Sequence, residues 1–78
     1  MWIMDQRKIG RFIAARRKEA RLTQIALAEK LGVSNRTISK WECGQGLPDV
    51  SLWSLLCETL RISADDLLLG EIMESKNR

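Results

Sequence analysis

The chain has 78 residues, 45% of them apolar and 29% charged, which is enough for one small core and one domain. Nothing in it resembles a signal peptide and no apolar run approaches the length of a membrane span, so a cytoplasmic location with no membrane partner is expected. Two cysteines and no histidine exclude a disulfide framework and, with no other ligand cluster, argue against a zinc site.

The net charge is only +3, but it is unevenly spread. Residues 1–21 hold seven Lys/Arg against Asp5 and Glu19; residues 45–70 hold Arg61 against Asp49, Glu58, Asp65 and Asp66. A basic front and an acidic back suit a module that meets a polyanion with one side, although a solvated charged helix face gives the same pattern.

Residues 1–4 read as an N-terminal extension, with Trp2 and Ile3 covering an apolar edge or fraying and Met4 a second candidate start. A first helix is predicted from Asp5, its N-cap, to about Ala20, with Ile9, Phe12, Ile13 and Ala20 as an apolar stripe. Thr23 and Ser34 are placed to N-cap two short helices joined by Leu31-Gly32-Val33, where a chain leaving a helix needs positive φ. Leu27, Ala28 and Leu31 share one face of the first of these, and Ile38 and Trp41 one face of the second. Ala28 is small where two helices cross. Two crossed helices on a glycine turn form a helix-turn-helix, whose second helix can lie in a DNA major groove.

At about 100° per residue, Arg36, Ser39, Lys40 and Cys43 point away from Ile38 and Trp41, with Asn35 at the exposed end. Asparagine suits adenine, arginine or lysine suits guanine, and a threonine methyl such as that of Thr37 suits thymine. The Gln24 side chain and the free N–H groups of that helix end, where the dipole is positive, can meet a phosphate. So can the backbone of the loop over residues 44–48 with Gly44 and Gln45, though simple turn chemistry also accounts for that loop. Pro48-Asp49 opens a fourth helix to about Leu60, with Leu52, Leu55, Leu56 and Leu60 available for packing; Trp53 either covers the core edge or forms a patch for a partner. Ser63 caps a last helix, Ala64 to Leu69, with Asp65 and Asp66 in its first turn and Gly70 ending it. Residues 71–78 read as a polar tail or linker.

Ile9-Gly10, Ile13, Arg17, Leu22-Thr23-Gln24, Leu27-Ala28, Leu31-Gly32-Val33, Ile38-Ser39-Lys40-Trp41-Glu42, Gly44, Pro48, Leu56, Leu60 and Leu67-Leu68 together resemble the Cro and phage-repressor type of helix-turn-helix, the XRE family, over residues 5–70. The resemblance implies an all-α, compact five-helix bundle of the lambda-repressor-like DNA-binding type. It implies a recognition helix over about residues 35–43, with Asn35, Arg36, Thr37 and Lys40 reading bases and Gln24, Ser34, Ser39, Gly44 and Gln45 meeting phosphate. It also implies a structural ion pair between Arg17 and Glu42, for which a planar guanidinium is well shaped. Departures are Arg21 where the family often has glycine, Ala26 where glutamate is common, Cys43 in place of asparagine and Cys57 in place of alanine.

The implied function is sequence-specific double-stranded DNA binding by a prokaryotic or phage transcriptional regulator, most often a repressor. Such proteins usually act as a homodimer on an inverted-repeat operator; Trp53, Leu68 and Leu69 could build a small interface, or a further domain could follow Arg78. An antitoxin or adaptor of the same fold, whose main partner is another protein, is the alternative. An enzyme has no support: the chain has no histidine, no paired-acid site with defined neighbours and no phosphate-cradling glycine loop. No cofactor and no small-molecule ligand is expected.

Overall fold

Each helix begins with a side-chain cap and ends on a left-handed residue. The structure, a computed structural model, describes residues 4–72; the expectations for Trp2, Ile3 and residues 73–78 lie outside the described residues. The helices are α1 (Gln6–Glu19), α2 (Gln24–Leu31), α3 (Asn35–Glu42), α4 (Val50–Leu60) and α5 (Ala64–Leu69). Asp5, Thr23, Ser34, Asp49 and Ser63 cap them in turn, each side chain accepting from a first-turn N–H that has no intrahelical acceptor. On α5 the cap is reciprocal, since Asp66 accepts from the Ser63 N–H while Ser63 accepts from that of Asp66.

At the other ends, the N–H groups of Leu22, Val33, Gln45, Ile62 and Glu71 reach back to the carbonyls of Arg17, Ala28, Lys40, Cys57 and Asp66. These closures put Arg21, Gly32, Gly44, Arg61 and Gly70 at positive φ. Leu22, Val33 and Ile62, each just beyond its left-handed residue, pack on the core. The non-glycine ending expected at Arg21 is present, at φ 61°, and a second occurs at Arg61, at φ 59°.

The core is built from Ile9, Ile13, Leu27, Ala28, Leu31, Ile38, Trp41, Leu56, Cys57, Leu60 and Leu67. α3 packs on α1 and α2, whereas α4 packs on α2, α5 and α1. The expected apolar stripes are corrected at two places. Ala20 is exposed, because it caps α1 rather than continuing it. Leu55 is 42% exposed, because α4 turns Leu56, Cys57 and Leu60 inward and rests Leu52 and Trp53 on the core edge. Trp53 is half-buried there and its indole N–H donates to the Pro48 carbonyl at 2.9 Å, tying the start of α4 to the loop before it.

A glycine is required where α1 crosses α3. A Cβ on Gly10 would stand 2.2 Å from the Trp41 carbonyl oxygen and 3.1 Å from that of Glu42. No side chain fits between these two backbones, so glycine sets how near α3 lies to α1.

Candidate nucleic-acid interface

α3 has its cap, its polarity and its anchor in place within eight residues. The Ser34 hydroxyl accepts from the Thr37 N–H at 3.1 Å and lies 2.9 Å from the Thr37 hydroxyl. Ile38 and Trp41 are buried on the inner side, while Asn35, Arg36, Lys40 and Cys43 are exposed on the outer. Thr37 and Ser39 are half-buried at its margins. The Ser34–Thr37 contact occupies both hydroxyls locally and leaves the Thr37 methyl as its apolar edge.

Behind this helix lies a four-member polar network. Arg17 Nε donates to Glu42 Oε2 at 2.6 Å and Arg17 Nη2 donates to Oε1 at 3.0 Å, a two-pronged pair with side chains only 10% and 8% exposed. Arg17 Nη1 donates to the Leu22 carbonyl at 2.8 Å, and Gln24 Nε2 donates to Glu42 Oε1 at 3.0 Å. Hydrogen bonding to the Glu42 carboxylate raises the Arg17 pKa above its ordinary value, against the opposing effect of burial. The network joins α1, the start of α2 and the end of α3. It also cancels the Glu42 charge, which would otherwise repel phosphate.

Spacing alone signals neither the Leu22 carbonyl nor the Gln24 amide as members. Both are set by how the start of α2 crosses α1 and α3. At four of the expected phosphate residues the geometry shows which donors are already engaged within the chain. The N–H groups of Gly44 and Gln45 are spent on the Trp41 and Lys40 carbonyls, at 3.0 and 2.9 Å, so neither stands open to an anion. The Ser34 hydroxyl is turned to its cap. Gln24 keeps its amide on Glu42, leaving the N–H groups of Gln24 and Ile25, ahead of those that Thr23 accepts from, as the donors there.

Cys43 is exposed at the end of α3 and Cys57 is buried, its thiol pushed above the usual range by desolvation and the nearby Asp66 charge. A groove of about 670 Å³ lies among the ends of α1, α2 and α4, lined by Arg16, Lys30, Leu55 and Arg61 among others and by no residue of α3. Among the described residues no three metal-ligating side chains cluster, and no helix is long and apolar enough to cross a membrane.

A helix-turn-helix family model, HTH_3, matches residues 13–67. Repressor protein C2 of Salmonella phage P22 is 36% identical over 92% of this chain and 33% of its own length. The transcriptional activator BcrR of Enterococcus faecalis is 41% identical over 73% of this chain and 30% of its own. The chain therefore spans about a third of the length of these curated relatives. The crystal structure of the P22 c2 repressor in complex with a synthetic operator superposes with a TM-score of 0.76 and 40% identity, over 81% of this chain and 96% of that one. Sequence match and shared five-helix architecture agree: the chain belongs to the helix-turn-helix family of the Cro and phage-repressor type.

Proposed function

We propose that this chain is a sequence-specific duplex-DNA-binding unit of a transcriptional regulator, and that it represses by occupying an operator. The observation that carries the reading is the polarity of α3. Its inner face is locked by Ile38, Trp41 and the Arg17–Glu42 pair, while Asn35, Arg36 and Lys40 project from the opposite side and Arg36 and Lys40 pair with no acid among the described residues. A rigid helix presenting an amide, a guanidinium and an ammonium outward is suited to base edges in a major groove. Thr37 adds a methyl. Phosphate contacts then fall to the first-turn N–H groups of α2 at Gln24, the Gln45 side chain and Ser39.

The P22 relative is a repressor by name and its crystal structure is a complex with a synthetic operator, which supports the same role here. One eight-residue recognition helix reads few base pairs, so this unit acts as a homodimer on an inverted repeat. Selection from random duplexes is the test. The expected product is a palindromic consensus whose half-sites change when Arg36→Ala or Lys40→Ala is used; each change costs about 1–3 kcal/mol at the preferred site. A selection that returns no consensus, or one insensitive to both substitutions, refutes the assignment.

A further inference from the structure

We propose that Arg7, on the first turn of α1, is a phosphate-binding residue for the strand that borders the C-terminal end of α3. The proposal rests on the DNA-binding reading above and deepens it.

Three features of the loop after α3 require a cation from elsewhere. Residues 44–48, Gly-Gln-Gly-Leu-Pro, include no Lys or Arg. The Gly44 and Gln45 amides are already committed to closing α3. The C-terminus of α3 is also the negative end of a helix dipole, which disfavours an approaching phosphate. An eight-residue helix is about 12 Å long, comparable to the width of a major groove. With Arg36 and Lys40 at base edges, this loop is therefore carried to the phosphate rim.

Arg7 is the cation that the fold lays against it. A Cβ on Gly44 would stand 2.9 Å from Arg7 Cγ and 3.0 Å from Arg7 Cα, so the stem of Arg7 packs on the glycine backbone. Gly44 is held at φ 76° by the α3 closure. The base of the side chain is positioned twice, by this contact and by the Arg7 N–H donating to Asp5 at 3.0 Å. Its guanidinium is exposed and bonds no acid among the described residues, unlike Lys8 on Glu71, Arg16 on Glu19 and Arg17 on Glu42. Gly10, one turn on, brings the same side of α1 onto the Trp41 and Glu42 carbonyls. Arg7 thus sits at the negative end of α3 with its charge unspent, where a planar fork can grip two phosphate oxygens.

The test is a salt titration of binding to the selected operator and to an unrelated duplex, for wild type, Arg7→Met and Lys30→Gln. Arg7→Met keeps an unbranched stem against Gly44, and thermal melts confirm that it folds. Lys30 lines the groove that includes no residue of α3 and controls for net charge. Arg7→Met is expected to weaken both duplexes by the same factor and to make the salt slope shallower by about 0.9 for each subunit bound. For a single subunit the defect then shrinks about threefold between 50 and 200 mM salt. Lys30→Gln should leave the slope unchanged. If wild type prefers its operator and Arg7→Met keeps the full slope, Arg7 has no such role and the DNA-binding reading survives. Equal slope loss in Lys30→Gln also overturns the proposal, as bulk charge then explains the effect. Failure of wild type to bind duplex DNA overturns both.

Discussion

Gly10→Ala sets a local rule against a tertiary one, and the two predict opposite signs. In the interior of α1, alanine is favoured over glycine by about 1 kcal/mol. In the folded protein the added methyl would stand 2.2 Å from the Trp41 carbonyl oxygen, so the two helices must part by roughly 1 Å to reach ordinary contact. The obstacle is backbone on α3, which cannot rotate aside as a side chain would. Overpacking of this kind costs typically about 1–3 kcal/mol. The parting also stretches the 2.6 and 3.0 Å bonds between Arg17 and Glu42, which span the same pair of helices. The net expectation is a loss of about 2 kcal/mol, or a fall in Tm of roughly 10 °C for a domain of this size. Thermal and urea melts of Gly10→Ala measure it, with Ala15→Gly on the exposed side of α1 as the propensity reference. A Gly10→Ala protein as stable as wild type or more so would refute the contact argument.

Removing Arg17 or Glu42 singly leaves a nearly buried opposite charge, so Arg17→Met should cost about 3 kcal/mol or more and Glu42→Gln less, because glutamine retains one acceptor. The double mutant should lose clearly less than the two together; strict additivity in urea melts would show that they do not act as a pair. Arg21→Gly and Arg61→Gly should each stabilise by up to about 1 kcal/mol by removing a side chain from a left-handed position, a gain read as a higher urea midpoint at unchanged m. Native protein should expose one thiol that reacts rapidly with a thiol reagent, Cys43, with Cys57 reacting only on unfolding. Because burial raises the Cys57 pKa, its contribution to stability is complete below the ordinary thiol range and declines as pH rises through it. Two thiols reacting at equal rates at neutral pH would contradict that burial.

The helices and their ends were legible because the interactions that define them are local. Asp5, Thr23, Ser34, Asp49 and Ser63 each bond an N–H two or three residues away, so the residue type and its position suffice. Gly32 and Gly70 mark left-handed ends for the same reason, and Ile38 and Trp41 follow from helical period alone. The XRE pattern extended this to the five-helix architecture and to the Arg17–Glu42 pair, whose members are 25 residues apart. What periodicity misjudged lay at the edges of stripes. Leu55 and Leu56 are adjacent and equally apolar, and only the angle at which α4 meets α2 and α5 buries one and exposes the other. Trp53 had two readings until the fold brought its indole to the Pro48 carbonyl. Likewise, composition identified amides and hydroxyls suited to phosphate. The Gln45 N–H and the Ser34 hydroxyl are spent locally, on Lys40 and Thr37, whereas only the fold placed Glu42 beside the Gln24 amide. Local chemistry determined the elements of this protein and the occupied groups at their ends; the distances between elements, set by glycine at position 10 and by the buried ion pair, decided that Glu42 is neutralised and that the Gln24 amide is taken up with it.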